Sequence, residues 1–134
     1  MEVGGPRAPV IRASADQDAR VDQQLLSELQ SLRQRGVEVH LATNQDHRRA
    51  DYIMRTLGLA RHVDGIHYSA ALGHRKPDPA FFHAVAGRAR RAPADLLLID
   101  DFLDNVISAE GAGWSAVHWT GEVRLGDLVA PHFP

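Results

Sequence analysis

Residues 95 to 105 read DLLLIDDFLDN, in which the large aliphatics Leu96, Leu97, Leu98 and Ile99 run straight into two adjacent carboxylates, Asp100 and Asp101. An apolar run of this length bounded by polar residues reads as a strand buried on both faces, the pattern of strands in a parallel α/β sheet. Such a strand delivers its last residues to the carboxyl edge of the sheet, where open α/β folds bind ligands. Successive strand side chains point to opposite faces, so a regular strand aims at most one of the two carboxylates directly at a ligand.

The surrounding chain supplies the matching elements. Val21, Leu25, Leu29 and Leu32 hold helical spacing, and Gly36 stands where a helix ends in the left-handed conformation. Val37 to Thr43 alternates, with Val37, Val39 and Leu41 set against Glu38, His40 and Ala42, which predicts a strand with one buried and one more polar face. Asp46 is placed to cap a helix carrying Ala50, Ile53, Met54 and Leu57, stopped by Gly58. Val63 to Ser69 predicts a second strand. Asp78 followed by Pro79 is a helix start, with Phe81, Phe82, Val85 and Ala89 as the buried face and Arg88, Arg90 and Arg91 at the negative end of the dipole. Val106 to Ala112 predicts a short helix and Ser115 to Trp119 a last strand, with one helical turn in the tail to Pro134. Alternation of this kind implies right-handed crossovers onto a parallel sheet.

With 134 residues the chain has the length of one domain and is short for an α/β enzyme with a separate substrate domain, so a second domain is not expected. Its 15 basic and 17 acidic residues give a formal charge of -2, which offers no basic field to nucleic acid. The absence of cysteine removes disulfides, thiolate nucleophiles and cysteine metal sites. No apolar run approaches the length of a membrane span, so no membrane partner is expected and the cytoplasm is the default compartment. The eight histidines form no HExxH pattern; His40, His67 and His118 fall on predicted strands as packed or edge residues, and His47 and His74 lie in loops.

Three polar clusters fall at or just beyond predicted strand ends: Thr43 with Asn44, Lys76 within GHRKPDP, and Asp100 with Asp101. A hydroxyl, an ammonium and a carboxylate converging on one edge suit a phosphate held beside a magnesium ion. Taken singly each has an ordinary explanation, since Thr and Asn are common turn and cap residues, Lys before Pro is common in solvated loops, and paired aspartates often cap helices. Their order along the chain is what raises the signal.

The segments LATNQ, SAALGHRKPDPAFF and LLLIDDFLDNVISAEGAGWSAVHWT resemble the second, third and fourth motifs of the haloacid dehalogenase superfamily of aspartate-nucleophile hydrolases. The subfamily with GxRKPDP and DDxxxN, which includes the phosphatase domain of soluble epoxide hydrolases, is the most similar, and the likeness covers Val21 to Thr120. The resemblance implies a Rossmann-like three-layer α/β/α fold with a mostly parallel sheet. It implies a magnesium-dependent phosphatase acting on a small phosphorylated metabolite. Residue by residue, Thr43 and Asn44 would contact the transferring phosphoryl group, Lys76 would stabilise nucleophile and phosphate, and Asp101 would bind Mg2+ with Asp100 in support. Asn105 would order the loop that follows.

The family's first motif is a strand ending in DxDx(T/V), whose first aspartate attacks the substrate and whose second is the general acid and base. No apolar strand followed by that motif occurs here; Asp16 and Asp18 have the spacing and are the candidates for nucleophile and acid, but the preceding VIRAS makes a poor buried strand and the two read better as solvated loop or helix-start residues. Residues 1–20 therefore read as an irregular segment, a remnant of a cap domain, ahead of an incomplete core at 21–134. The expected fold lacks both the usual central first strand and the cap. Because an empty central slot would leave backbone donors and acceptors unpaired on two strand edges, something should fill it. The two occupants considered are Ala8 to Ser14 and a segment of another copy, the latter implying a homo-oligomer by segment exchange; the alternative is that the two flanking strands pair directly. Without the nucleophile the chain would instead be a catalytically inactive binding or interaction module.

Overall fold

The computed structural model describes residues 8–11 and 23–120, together with positions 124, 127 and 131. Five parallel strands, β1 (Ala8–Ile11), β2 (His40–Thr43), β3 (Gly65–Tyr68), β4 (Leu96–Asp100) and β5 (Ser115–His118), form one sheet in the order β3-β2-β1-β4-β5. The helices are α1 (Gln23–Gln34), α2 (His47–Asp51, continued by a π-helical turn over Tyr52–Thr56), α3 (Ser69–Leu72), α4 (Pro79–Ala89) and α5 (Leu103–Gly111), with 3-10 turns at Leu59–Arg61 and Pro93–Asp95. The parallel α/β architecture is as the sequence predicts.

The strand DLLLI explains the layering. All of Leu96 to Asp100 is buried. Leu96 and Leu98 pack with Phe81, Phe82 and Val85 of α4 and with Ala109 of α5, whereas Leu97 and Ile99 pack with Leu29 and Leu32 of α1. Opposite faces of one strand thus meet opposite helical layers, as the period of two requires. Leu96, Leu97, Leu98 and Ile99 are each removed from water completely, a gain of roughly 1.5–3 kcal/mol apiece.

The predicted punctuation is where it was read. Gly36 and Gly58 adopt φ of 87° and 79° after their helices. The Asp46 carboxylate accepts from Arg49 N at 2.7 Å and the Asp78 carboxylate from Ala80 N at 2.9 Å, each capping a helix N-terminus. Two features differ. Ser69–Leu72 forms a short helix that the apolar pattern, four residues long, did not announce. Strand β2 is buried along its whole length instead of presenting a polar face, because the polar residue His40 is matched by a second histidine on β3.

The middle of the sheet is filled. Ala8–Ile11, from the segment read as irregular, lies between β2 and β4, with Val10 opposite both His40 and Leu98 and Ile11 opposite both Leu41 and Ile99. The chain's own N-terminal segment thus takes the slot, the first of the two occupants considered. Pro9, which cannot donate to a ladder, stands at a level paired with β4 alone, which is how a proline is accommodated so close to the centre. Asp16 and Asp18 lie outside the described residues, as does most of the tail expected to hold a helical turn.

His40 and His67 stack with ring centroids 5.0 Å apart, and His40 Nδ1 and His67 Nε2 share a hydrogen bond of 2.9 Å. His40 Nε2 lies 3.1 Å from Glu38 Oε1, and the other oxygen of Glu38 accepts from Arg91. Where His40 Nε2 donates to Glu38 and His67 Nε2 to His40 Nδ1, His67 Nδ1 is left as a buried atom without a partner. Burial first, then the charges of His40 and Arg88, push His67 down from 6.5 to about 4. Burial alone would raise Glu38, but its bonds to His40 and Arg91 hold it below the usual carboxylate value. A proton that the unfolded chain takes near pH 6.5 is therefore refused by the folded one until about pH 4. The contribution of His67 is complete above pH 6.5 and is lost on acidification, by up to about 3 kcal/mol. Urea unfolding between pH 7 and pH 4 should show this loss, and His67→Gln should flatten the dependence; an unchanged pH slope in the variant would rule the assignment out.

Candidate active site

Thr43, Asn44, Lys76 and Asp100 converge because β2 and β4 run parallel on either side of β1 and the loop after α3 is bonded to the end of β2. Thr43 ends β2 and is fully buried; Asn44 follows it into the loop. Asn44 and Lys76 clasp each other through the backbone, Asn44 Nδ2 donating to Lys76 O at 3.0 Å and Lys76 N donating to Asn44 Oδ1 at 2.8 Å. This reciprocal pair fixes the GHRKPDP loop against the end of β2.

Held in that way, the Lys76 side chain runs inward. Its Nζ donates to Ala42 O at 3.0 Å and to Asp100 Oδ2 at 3.1 Å, and the side chains of both Lys76 and Asp100 are completely shielded from solvent. Asp100 also accepts from Asn105 Nδ2 at 3.1 Å on Oδ2 and from Phe102 N at 2.9 Å on Oδ1. A carboxylate with an ammonium and two further donors is a satisfied buried charge, the condition under which such a pair persists in a low-dielectric interior. Asp101 lies on the other side of the chain and is exposed; its carbonyl oxygen receives His118 Nε2 at 3.0 Å. The two adjacent aspartates therefore have separate surroundings, one locked into the core and one at the surface, as their alternate orientation predicts.

The structure brings Thr43, Asn44, Lys76, Asp100 and Asn105 into one corner, with Asp101 at its edge. No group of three or more His, Asp or Glu side chains able to enclose a metal occurs among the described residues. Asp101 carries an exposed carboxylate of the hard-oxygen type that would suit magnesium, an ion that takes one or two protein carboxylates and completes its shell with water and phosphate oxygens. Sequence reasoning missed the backbone N–H of Phe102, whose role depends on loop geometry alone. It also missed His118, which has the alternation of an ordinary strand residue.

A family model for haloacid dehalogenase-like hydrolases matches residues 13–113. The chain belongs to the haloacid dehalogenase-like hydrolase family. The sesquiterpene phosphatase astK of Aspergillus oryzae is 34% identical over 104 residues, which is 75% of this chain and 52% of that protein. The chain spans about half, or less, of the length of the curated relatives it matches. An uncharacterised protein from Corynebacterium glutamicum has a solved structure with a TM-score of 0.78 and 25% identity, the likeness covering 94% of both chains. A HAD family enzyme from Bacteroides thetaiotaomicron, solved in complex with magnesium and inorganic phosphate, shares the fold with a TM-score of 0.70 at 23% identity, over 81% of this chain and 58% of that one. No helix among the described residues of this HAD-like hydrolase is long and apolar enough to cross a membrane.

Removing one partner of the Lys76 and Asp100 pair leaves the other charge buried and uncompensated, a loss of about 3–5 kcal/mol. Lys76→Met should lower the urea midpoint accordingly, and adding Asp100→Asn should recover part of the loss by removing the stranded charge. A double variant as unstable as the sum of the two single variants would show that the pair is not coupled.

Proposed function

We propose that this chain carries the phosphate-binding and magnesium-binding corner of a phosphomonoester hydrolase that acts on a small phosphorylated metabolite. The observation that carries this reading is the convergence of Thr43, Asn44 and Lys76 on one sheet edge beside Asp100 and Asp101. The phosphatase relative and the magnesium and phosphate complex of a protein with the same fold point the same way. In this reading Thr43 and Asn44 hold the phosphoryl oxygens and Lys76 offsets their charge. Asp101 would ligate magnesium, which when bound neutralises phosphoryl charge; Asp100 holds Lys76 and the following turn in place. Turnover in this reading requires Asp16 as nucleophile and Asp18 as acid and base, since they alone in residues 1–20 have the DxD spacing.

One observation favours a second reading, a phosphate-binding module without turnover. The strand that fills the centre of the sheet is β1, and the residues that follow it in sequence are Arg12, Ala13 and Ser14, with no carboxylate before Asp16. The resemblance places the attacking aspartate at the end of that strand.

Hydrolysis of an aryl phosphate with and without magnesium separates the two. The enzyme reading expects magnesium-dependent turnover that falls at least about a hundredfold in both Asp16→Asn and Asp101→Asn. Phosphate binding with no turnover in the unaltered chain would establish the module instead. Turnover that survives Asp16→Asn would remove Asp16 from the chemistry.

A further inference from the structure

Beside the phosphate corner lies an open cleft of about 560 Å³ that shares Asn44 with it. One wall is the end of β2, through Asn44 and Gln45, and the other is α3 with the turn that follows, through Ser69, Gly73, His74 and Arg75. The walls are tied together beneath the cleft. Gln45 N donates to Ser69 Oγ at 2.9 Å, Ser69 Oγ donates to Gln45 O at 3.1 Å, and Ala70 N donates to the same oxygen at 3.1 Å. The Asn44 and Lys76 clasp closes the end nearest the corner. Gly73 turns the chain at φ 76°, and a Cβ placed there would meet nothing within 4 Å, so this side of the turn faces open space. A cleft built on so many backbone and side-chain ties keeps its shape before any ligand arrives.

Its charge is unbalanced. Lys76 spends its ammonium on Asp100, whereas the neighbouring Arg75, exposed on the cleft lip, makes no side-chain hydrogen bond or ion pair among the described residues, and neither does His74. The carboxylate in the lining, Asp46, is committed to the N-terminus of α2 through Arg49 N. Arginine stays charged at all relevant pH and presents a fork of donors that fits a planar or tetrahedral anion. Two cation-bearing positions therefore stand next to each other in sequence with different duties, Lys76 turned into the corner and Arg75 left outside it.

From this we propose, resting on the phosphate reading of the corner, that the cleft is a second anion subsite. The ligand class is a small organic phosphate that carries a further anionic group, a carboxylate or a second phosphate, a few bonds from the first. Arg75 is the residue that binds that group, and it sets specificity without taking part in the chemistry.

The test compares two non-hydrolysable probes by calorimetric or NMR titration of the full chain at one fixed magnesium concentration. Methylphosphonate offers the phosphoryl end alone, and phosphonoacetate adds a carboxylate. Phosphonoacetate should bind about tenfold more tightly, with the advantage shrinking as salt is raised. Arg75→Gln should remove most of that advantage and leave methylphosphonate affinity within about twofold, while Arg75→Lys should restore part of it. Equal affinity for the two probes would overturn the subsite and leave the phosphate corner standing. An Arg75→Gln variant that keeps the full preference, or that weakens both probes alike, would overturn it too. Failure of both probes to bind would remove the corner itself, and the subsite with it.

Discussion

Much of the carboxyl edge of this protein depends on one buried ion pair. Lys76 and Asp100 come from a loop and a strand 24 residues apart, and both side chains are sealed from water. Two charges in that position are tolerable because each has further partners: Ala42 O for the ammonium, Asn105 and Phe102 N for the carboxylate. The bonds reach β2, the GHRKPDP loop, β4 and the start of α5 at once. A change in any of these elements is felt at the others, and the loops that carry Asn44 and Asp101 inherit their positions from the pair.

The second constraint is the continuity of the sheet. Strands β2 and β4 cannot stand apart with bare edges inside a sandwich of helices, and the short strand Ala8–Ile11 joins them. Its chemistry is unlike what its place suggests. In this family the strand at that position is the one expected to present the nucleophile, yet here it leads into Arg12.

Specific residues made the fold legible in advance. Leu96 to Ile99 marked the buried strand, Asp46 and Asp78 marked helix starts through their capping geometry, and Gly36 and Gly58 marked helix ends because left-handed backbone favours glycine. Three parts stayed hidden. Ala8–Ile11 is too short, and holds a proline, to announce a strand by its own pattern, and only the need to fill the slot between β2 and β4 pointed to it; α3 is a single turn; and the partner of His40, His67 at 2.9 Å, lies on another strand. In each case the deciding partner is distant in sequence, so no local pattern could register it.

What the sequence determined by itself was the set of local preferences and the order of chemical groups along parallel strands: apolar runs, caps, a hydroxyl, an ammonium and paired carboxylates arriving in turn at one edge. What only the tertiary structure decided was which of those groups face each other. It assigned Asp100 to the core and Asp101 to the surface, gave Lys76 its partner, left Arg75 at the lip of a cleft, and put Ala8–Ile11 in the middle of the sheet. Propensity and periodicity act over a few residues, whereas burial, charge pairing and strand order are settled by contacts between segments that the chain itself keeps far apart.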